Sequence, residues 1–243
     1  MKKFFSLCLS SVLLLSFIVS PGSSQEVKDI LEKMIEAQGG RKVLESIQDT
    51  TLKSSMEMIQ MGLSGTLTIY HKEPNKMRWD AEVMGTVITQ SYDGETAWMI
   101  NAQTGNTEEM PERAAKDFKR GAFGNDLLLN PEKIGLTWAY KDKEKIKGKD
   151  YLVLEQTFSD GHKGTIYLDP ETYLTYKTKT TTYNPMGVEV EAETLVSDYK
   201  KVDGVMIAHS ITIFQDGEEF MKITITEVSF NSGLEDSFFR MRE

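Results

Sequence analysis

The side chains that could do chemistry are few, and their spacing does not assemble a catalytic or metal site. The three histidines, His71, His162 and His209, stand apart from one another and from the only cysteine, Cys8. The sequence has no His-Glu-x-x-His pattern, no Gly-x-Ser-x-Gly turn and no glycine-rich phosphate loop. Folding could still bring distant ligands together, but the sequence itself predicts no enzyme, no metal and no cofactor.

Carboxylates are plentiful, and one set of them is regularly spaced. Glu189, Glu191 and Glu193 alternate along one stretch, and alternation places all three on the same face of a strand. We interpret that face as solvated rather than catalytic. A hydrolase that uses these carboxylates is the weakest of the alternatives.

Methionine is the unusual feature of the composition. The chain has 13 methionines, and this unbranched, polarizable side chain suits surfaces that fit variable apolar guests, although it also fills ordinary cores. We predict an apolar cavity on a sheet face rich in methionine and aromatic residues, covered by a helix. The residues expected to line it are Met56, Met58, Met77, Trp79, Val83, Trp98, Ile100, Phe118, Phe123, Leu127, Leu128 and Leu129.

Strands must position these side chains, and the pattern is clearest between Leu63 and Met110. Apolar and polar residues alternate there with a period of two, which predicts five antiparallel strands in a meander. Asp93-Gly94 predicts a two-residue hairpin turn. We expect Met77, Trp79, Trp98 and Ile100 to share one face of this meander.

The same pattern predicts one strand from Asp49 and seven more between Leu136 and Phe230, separated by turn signals. Helices are predicted at Glu26–Gln38, with a further turn at Arg41–Ile47, and from Pro111 to Arg120. The predicted fold is mainly β: a large curved antiparallel sheet of about 11–12 strands. It forms a half-open, incomplete β-barrel whose concave face is covered by helices.

The first 24 residues have the pattern of an export signal. Lys2-Lys3 precede the apolar run Phe4–Val19, and small residues at Pro21–Ser24 predict cleavage after Ser24. Cys8 lies in the middle of the apolar run, which does not fit a lipid attachment site. We therefore expect residues 25–243 to form a single domain in the periplasm.

Charge narrows the choice of partner. Without Lys2 and Lys3 the chain has 28 − 2 = 26 basic residues against 37 acidic ones. This acidic balance argues against nucleic acid and against an anionic membrane surface as partners.

Several segments resemble the LolA-like family of periplasmic outer-membrane lipoprotein carriers, with its LolB and LppX relatives. They are YHKEPNKMRWD from Tyr70, SYDGETAWMINAQTGNTEEM from Ser91, Ala37-Gln38-Gly39-Gly40, and Asp198–Val205. The resemblance covers the whole mature chain. It implies a half-open barrel whose helical lid covers a cavity for acyl chains.

One departure from the family concerns the lid. LolA carriers have an arginine, associated with lid closure, directly before the Pro-Asn pair, and this sequence has Glu73 there. A carboxylate can accept hydrogen bonds but not donate them. We therefore treat Glu73 as a candidate lid latch. Its expected partner is one of four basic residues, Arg113, Lys116, Lys119 or Arg120.

The expected function is that of a monomeric periplasmic carrier, which binds acyl chains of lipoproteins or lipids and moves them towards the outer membrane. An inner-membrane release complex and an outer-membrane acceptor are the partners that the resemblance implies. The alternative is a sensor or interaction module of the same fold, which binds lipidated partners and regulates a membrane protein.

Overall fold

Thirteen antiparallel strands form a single sheet in the computed structural model, which describes residues 21–101, 104–183 and 187–241. The predicted signal up to residue 20, including Cys8, lies outside the described residues. The strand order is β6-β5-β4-β3-β2-β1-β13-β12-β11-β10-β9-β8-β7. The sheet therefore consists of two meanders, joined where the first strand meets the last.

The strand bounds follow the predicted alternation closely. They are β1 Asp49–Met58, β2 Leu63–Lys72, β3 Lys76–Val83, β4 Thr86–Tyr92, β5 Ala97–Ile100, β6 Thr107–Glu109, β7 Thr137–Ile146, β8 Lys149–Thr157, β9 Lys163–Leu168, β10 Thr175–Tyr183, β11 Glu189–Val202, β12 Val205–Gln215 and β13 Glu218–Phe230. The meander of five strands between Leu63 and Met110 is confirmed.

The sheet is not closed, because β6 and β7 are its two free edges. The joint between the meanders is the ladder of β1 with β13, in which Thr50 faces Phe230 and Met58 faces Met221. The predicted fold class, a half-open β-barrel with helices, is confirmed. The strand count is 13 rather than 11–12.

Four α-helices accompany the sheet: α1 Pro21–Gln38, α2 Arg41–Glu45, α3 Glu112–Gly121 and α4 Asp126–Leu129. On α1, Ile30 and Met34 pack against Leu152, Leu154 and Leu168. The apolar stripe of this helix is therefore buried against the second meander. Short 3₁₀ turns occur at Ile59–Met61, Pro131–Ile134 and Asp236–Phe238.

Residues 112–134, which we call the lid segment, run from the edge strand β6 to the edge strand β7. Helix α3 lies against β5 of the first meander and β10 of the second. The lid segment therefore connects the two meanders on the side of the sheet where it is not closed by strand pairing.

Two local predictions need correction. The β4–β5 turn has four residues rather than two, with the Asp93 amide donating to the Thr96 carbonyl at 3.2 Å. Two backbone amides, of Glu95 and Thr96, also bind the Asp93 carboxylate, which favours the longer turn. Helix α1 begins at Pro21 rather than Glu26. Residues 231–241, for which the sequence analysis made no prediction, continue past the last strand as a segment that we call the C-terminal strap.

Candidate functional site

The inner face of the sheet is the face that packs against the helices. Trp79 lies next to Phe118 of α3, with 6.4 Å between ring centroids. Met77 joins the same cluster, in which Phe118 and Ala122 are buried against Tyr92. The first meander therefore presents its methionine-rich face to the lid segment.

The predicted cavity residues on β1 and β3 do share this inner face. Met56 is 4% exposed and packs with Leu67, Ala81, Ile223 and Ile225. Val83 and Trp79 border the same cluster, and Met58 has the same parity as Met56 on β1. Met56, Met58, Met77, Trp79 and Val83 therefore lie on one face of the sheet.

Trp98 and Ile100 lie on the opposite, outer face, so the prediction that they share a face with Met77 and Trp79 is wrong. Trp98 faces Ser91, and Ser91 faces Arg78, whereas Trp79 faces Gln90. The residues of β5 with the parity of Trp79 are Ala97 and Met99. Alternation predicts the two faces of a single strand, but the faces of neighbouring strands can be matched only when their register is known.

The C-terminal strap covers Trp98 on the outer face of the sheet. The Trp98 indole Nε1 donates to the Phe239 carbonyl at 2.7 Å, and Phe239 is fully buried. The Ser91 hydroxyl donates to the same carbonyl at 2.9 Å. Trp98 is thus part of a core between the sheet and the strap.

The predicted lid residues occupy different environments. Phe118 and Leu129 are buried, and Phe123 stacks on Phe158 with 6.4 Å between centroids. Leu128 packs between α1 and the sheet. The Leu127 carbonyl accepts a hydrogen bond from Trp138 Nε1 at 3.3 Å. All of them contribute to packing of the lid segment.

An open groove lies beside α1. A groove of about 810 Å³ runs between α1 on one side and α4 with the start of β7 on the other. Leu31, Ile35, Leu128, Leu136 and Trp138 are among the residues that line it. A second groove, of about 520 Å³, lies on the other flank of the helix, next to Ile30, Tyr140 and Leu152.

Of the predicted cavity residues, Leu128 and Leu129 line the larger groove. The sequence prediction missed Leu31, Ile35 and Trp138. The apolar stripe of α1 is the signal that could have indicated Leu31 and Ile35. Its spacing does not show which of its residues border the groove.

Glu73 does contact the lid segment. Its Oε1 accepts a hydrogen bond from the Asn125 amide at 3.0 Å. Two residues earlier, His71 Nε2 donates to the Ala122 carbonyl at 2.8 Å. The end of β2 therefore holds residues 122–125 by one acceptor and one donor, a contact that we call the β2 clamp.

The expected partner of Glu73 was wrong, because none of the four basic residues binds it. Lys116 pairs with Glu112, and Arg120 with Asp117 and Asp160. Arg113 lies over the ring of Tyr183 and Lys119 over that of Tyr92. These basic residues lie on α3, whereas Glu73 meets the chain after α3 has ended, where the Asn125 amide points towards it.

Burial shapes the ionisation of the β2 clamp. Loss of solvent raises the pKa of Glu73 to about 7, and the nearby Asp126 adds to this rise while the Asn125 amide opposes it. Burial lowers the pKa of His71, against the effect of the Ala122 carbonyl. Burial thus disfavours the charged form of both side chains.

The β2 clamp is sterically tight at Gly124. This residue has φ +51°, and a Cβ built on it would overlap the His71 ring and lie 2.7 Å from Glu73 Oε1. A side chain there would meet both a disfavoured backbone conformation and the clamp. Glycine is therefore required for the close approach.

A second polar contact holds α3 to the other meander. Arg120 reaches Asp160 in the β8–β9 turn. The Thr182 hydroxyl of β10 donates to Asp117 Oδ2 at 3.2 Å. The lid segment is thus attached to the first meander by the β2 clamp and to the second by the side chains of α3.

Within the described ranges, no group of three or more His, Cys, Asp or Glu residues is placed to hold a metal ion. In that same part of the chain, no helix is long and apolar enough to cross a membrane.

Comparison with known proteins identifies the fold. No family model and no curated protein matches the sequence. An outer membrane lipoprotein-sorting protein domain from Vibrio parahaemolyticus matches in structure with TM-score 0.59 and 16% identity, over 89% of this chain and 97% of that one. A LolA superfamily protein from Nitrosomonas europaea matches with TM-score 0.60 and 14% identity, over 88% and 97%.

A DUF1329 family protein from Desulfovibrio piger matches equally well, with TM-score 0.60 and 15% identity, over 88% of this chain and 97% of that one. At such low identities the likeness concerns the fold. The resemblance seen in the sequence is confirmed at that level: the chain has the fold of the LolA superfamily and of outer membrane lipoprotein-sorting domains.

Proposed function

We propose that this protein is a periplasmic carrier, which binds the acyl chains of lipoproteins or lipids beneath its helices and moves them towards the outer membrane. The observation that carries the proposal is the open groove of about 810 Å³ between α1 and β7, within a half-open barrel. Its volume lies in the range of about 300–1,000 Å³ that is typical of small-molecule sites.

The energetics of such a site are favourable. Each methylene moved from water into an apolar groove contributes about 0.8 kcal/mol, so a chain of a dozen methylenes gains about 10 kcal/mol before ordering costs. Exposed polar contacts of the kind that hold α3 contribute up to about 1 kcal/mol each. A bound chain could therefore offset the loss of such polar contacts.

The fold likeness supports the carrier interpretation, since one similar domain is described as lipoprotein-sorting. The predicted export signal supports a periplasmic location. We further propose that the protein has no catalytic role and acts as a monomer. A release complex at the inner membrane and an acceptor at the outer membrane would be its partners.

The test is mass spectrometry of organic extracts from the protein, purified without detergent. We expect lipids or lipoprotein-derived acyl chains at a constant ratio to protein. Extracts with no lipid, together with no uptake of a fluorescent fatty acid, would contradict the carrier proposal. They would favour a module that only contacts other proteins.

A further inference from the structure

We infer that the groove between α1 and β7 takes one acyl chain whose head group is zwitterionic, such as a lysophosphatidylethanolamine. This inference rests on the proposed function and adds where the chain lies and what class of head group accompanies it. It places the chain beside Trp138, rather than under α3 against Trp79.

The floor of the groove fits a single chain. Residues from Gln25 to Ile35 of α1 line one side, and at 1.5 Å per residue this wall is roughly 15 Å long. Extended covalent chains advance about 1.2 Å per bond, so about a dozen carbons lie along it. One helix and the start of one edge strand bound the groove along this length.

The alternative position, under α3, is filled by the protein's own side chains. Phe118 is 8% exposed and Ala122 fully buried, and both pack against Met77 and Trp79. A Cβ on Gly121 of α3 would already lie 3.3 Å from the end of the Met77 side chain. An acyl chain there would have to displace α3, whereas the groove beside α1 is open.

The rim of the groove carries charges of both signs. Lys28 and Arg41 are basic, while Asp29, Glu32 and Glu132 are acidic. Arg41 binds Glu32 at 2.8 Å and the Leu129 carbonyl at 3.2 Å, which fixes one cation at the end of the groove. Asp29 accepts a hydrogen bond from Gln25 at 2.8 Å.

The mixed charge at the rim of the groove favours one class of lipid head group. Arg41 and Glu32 neutralise one another, so a fatty-acid carboxylate would approach Asp29 and Glu132, whereas a purely cationic head would approach Lys28. A head group with both a phosphate and an ammonium can place the phosphate near the basic residues and the ammonium near the acidic ones. The zwitterion therefore meets complementary charges at both of its ends.

The position of the chain can be read from tryptophan fluorescence, because the protein has three tryptophans in separate places. Trp138 lines the groove, Trp79 lies under α3, and Trp98 is 3% exposed beneath the strap. The probe is lysophosphatidylethanolamine with a dibrominated acyl chain, which quenches tryptophans that it touches. Titrations compare the unchanged protein with Trp138→Phe and Trp79→Phe.

We expect quenching in the unchanged protein and in Trp79→Phe, and loss of most quenching in Trp138→Phe. The opposite pattern, with quenching lost only in Trp79→Phe, would place the chain under α3. That result would overturn this inference and leave the carrier function standing. No binding in a parallel calorimetric titration would contradict both.

The head-group class is tested by competition among three probes with 16-carbon chains, all below their micelle concentrations. We expect lysophosphatidylethanolamine to bind at least about tenfold more tightly than palmitate or hexadecyltrimethylammonium. Glu132→Gln should reduce the difference in affinity between lysophosphatidylethanolamine and palmitate. Lys28→Gln should reduce the difference in affinity between lysophosphatidylethanolamine and hexadecyltrimethylammonium. Glu82→Gln, an exposed change away from the groove, is the control. Equal affinities for all three probes would overturn the zwitterion assignment.

Discussion

Replacing Glu73 by glutamine should stabilise the protein at alkaline pH and leave its stability nearly unchanged at acidic pH. Glutamine keeps an oxygen that can accept the Asn125 amide, which Glu73 binds at 3.0 Å, but it carries no charge to desolvate. The change therefore isolates the cost of a carboxylate that is buried against the lid segment.

The magnitude follows from the pKa of Glu73, which burial raises from 4.5 to about 7. Each pKa unit corresponds to about 1.4 kcal/mol of differential stability, which gives an upper limit of about 3 kcal/mol. The side chain retains 19% exposure, so solvent screening reduces this figure. We expect a gain of about 1–3 kcal/mol at pH 8.

The sign is set by which state holds the proton. The folded protein keeps the proton of Glu73 between pH 4.5 and about 7, where the unfolded chain releases it, so stability falls as pH rises through this window. His71 acts oppositely, because burial lowers its pKa and stability falls as pH drops below its unfolded value. His71 is present in both proteins, so its contribution largely cancels in the difference.

Urea unfolding of both proteins at pH 4.5, 6 and 8 measures the effect. The advantage of Glu73→Gln should grow steadily with pH, whereas Glu82→Gln, at an exposed position, should show no such trend. An advantage that is flat with pH, or that shrinks, would refute the argument. His71 lies 3.7 Å from Glu73, and a flat profile would indicate that the two ionise as a pair instead.

Three further predictions concern other parts of the chain. Trp98→Ala should lower the free energy of unfolding by about 3–5 kcal/mol. The variant protein that remains folded should take up a fluorescent fatty acid as the unchanged protein does. Reduced uptake at full stability would show that Trp98 contacts the ligand. Gly124→Ala should lower the free energy of unfolding more than Gly62→Ala does in the same assay. Both residues have positive φ, +51° and +63°, but only Gly124 is crowded, by His71 and Glu73. The difference should be about 1–3 kcal/mol, and equal losses would mean that the β2 clamp adjusts freely to a side chain. The intact mass should correspond to a chain that begins at Gln25, and osmotic shock should release the protein from cells. A lipid on Cys8 would contradict the predicted location.

Much of the fold could be predicted because strand alternation and turn residues are local signals. The seven strands after Leu136 and the five between Leu63 and Met110 all appear in the structure. The strand pairing at the joint of β1 and β13 has no local signature, since it unites segments from opposite ends of the chain. The C-terminal strap was missed for a similar reason, because it is held by Trp98, Ser91 and other distant partners.

The candidate site was less predictable than the fold. Residue type correctly placed Met77 and Trp79 on the inner face, but the face of Trp98 depends on the register between β4 and β5. Glu73 was identified through its position before Pro74, although its partner is a backbone amide. Backbone amides have no sequence signature, so such a contact is visible only in three dimensions.

The meeting of first and last strands at the centre of the sheet has a consequence for how the chain folds. Thr50 and Phe230 are partners across 180 residues, and contacts of such high sequence separation form slowly. Until β13 has been synthesised, β1 keeps an unpaired edge next to an apolar surface. A nascent or truncated chain that lacks its last 30 or so residues would therefore be prone to aggregate through that edge, and chaperone demand should fall sharply once the final strand is available.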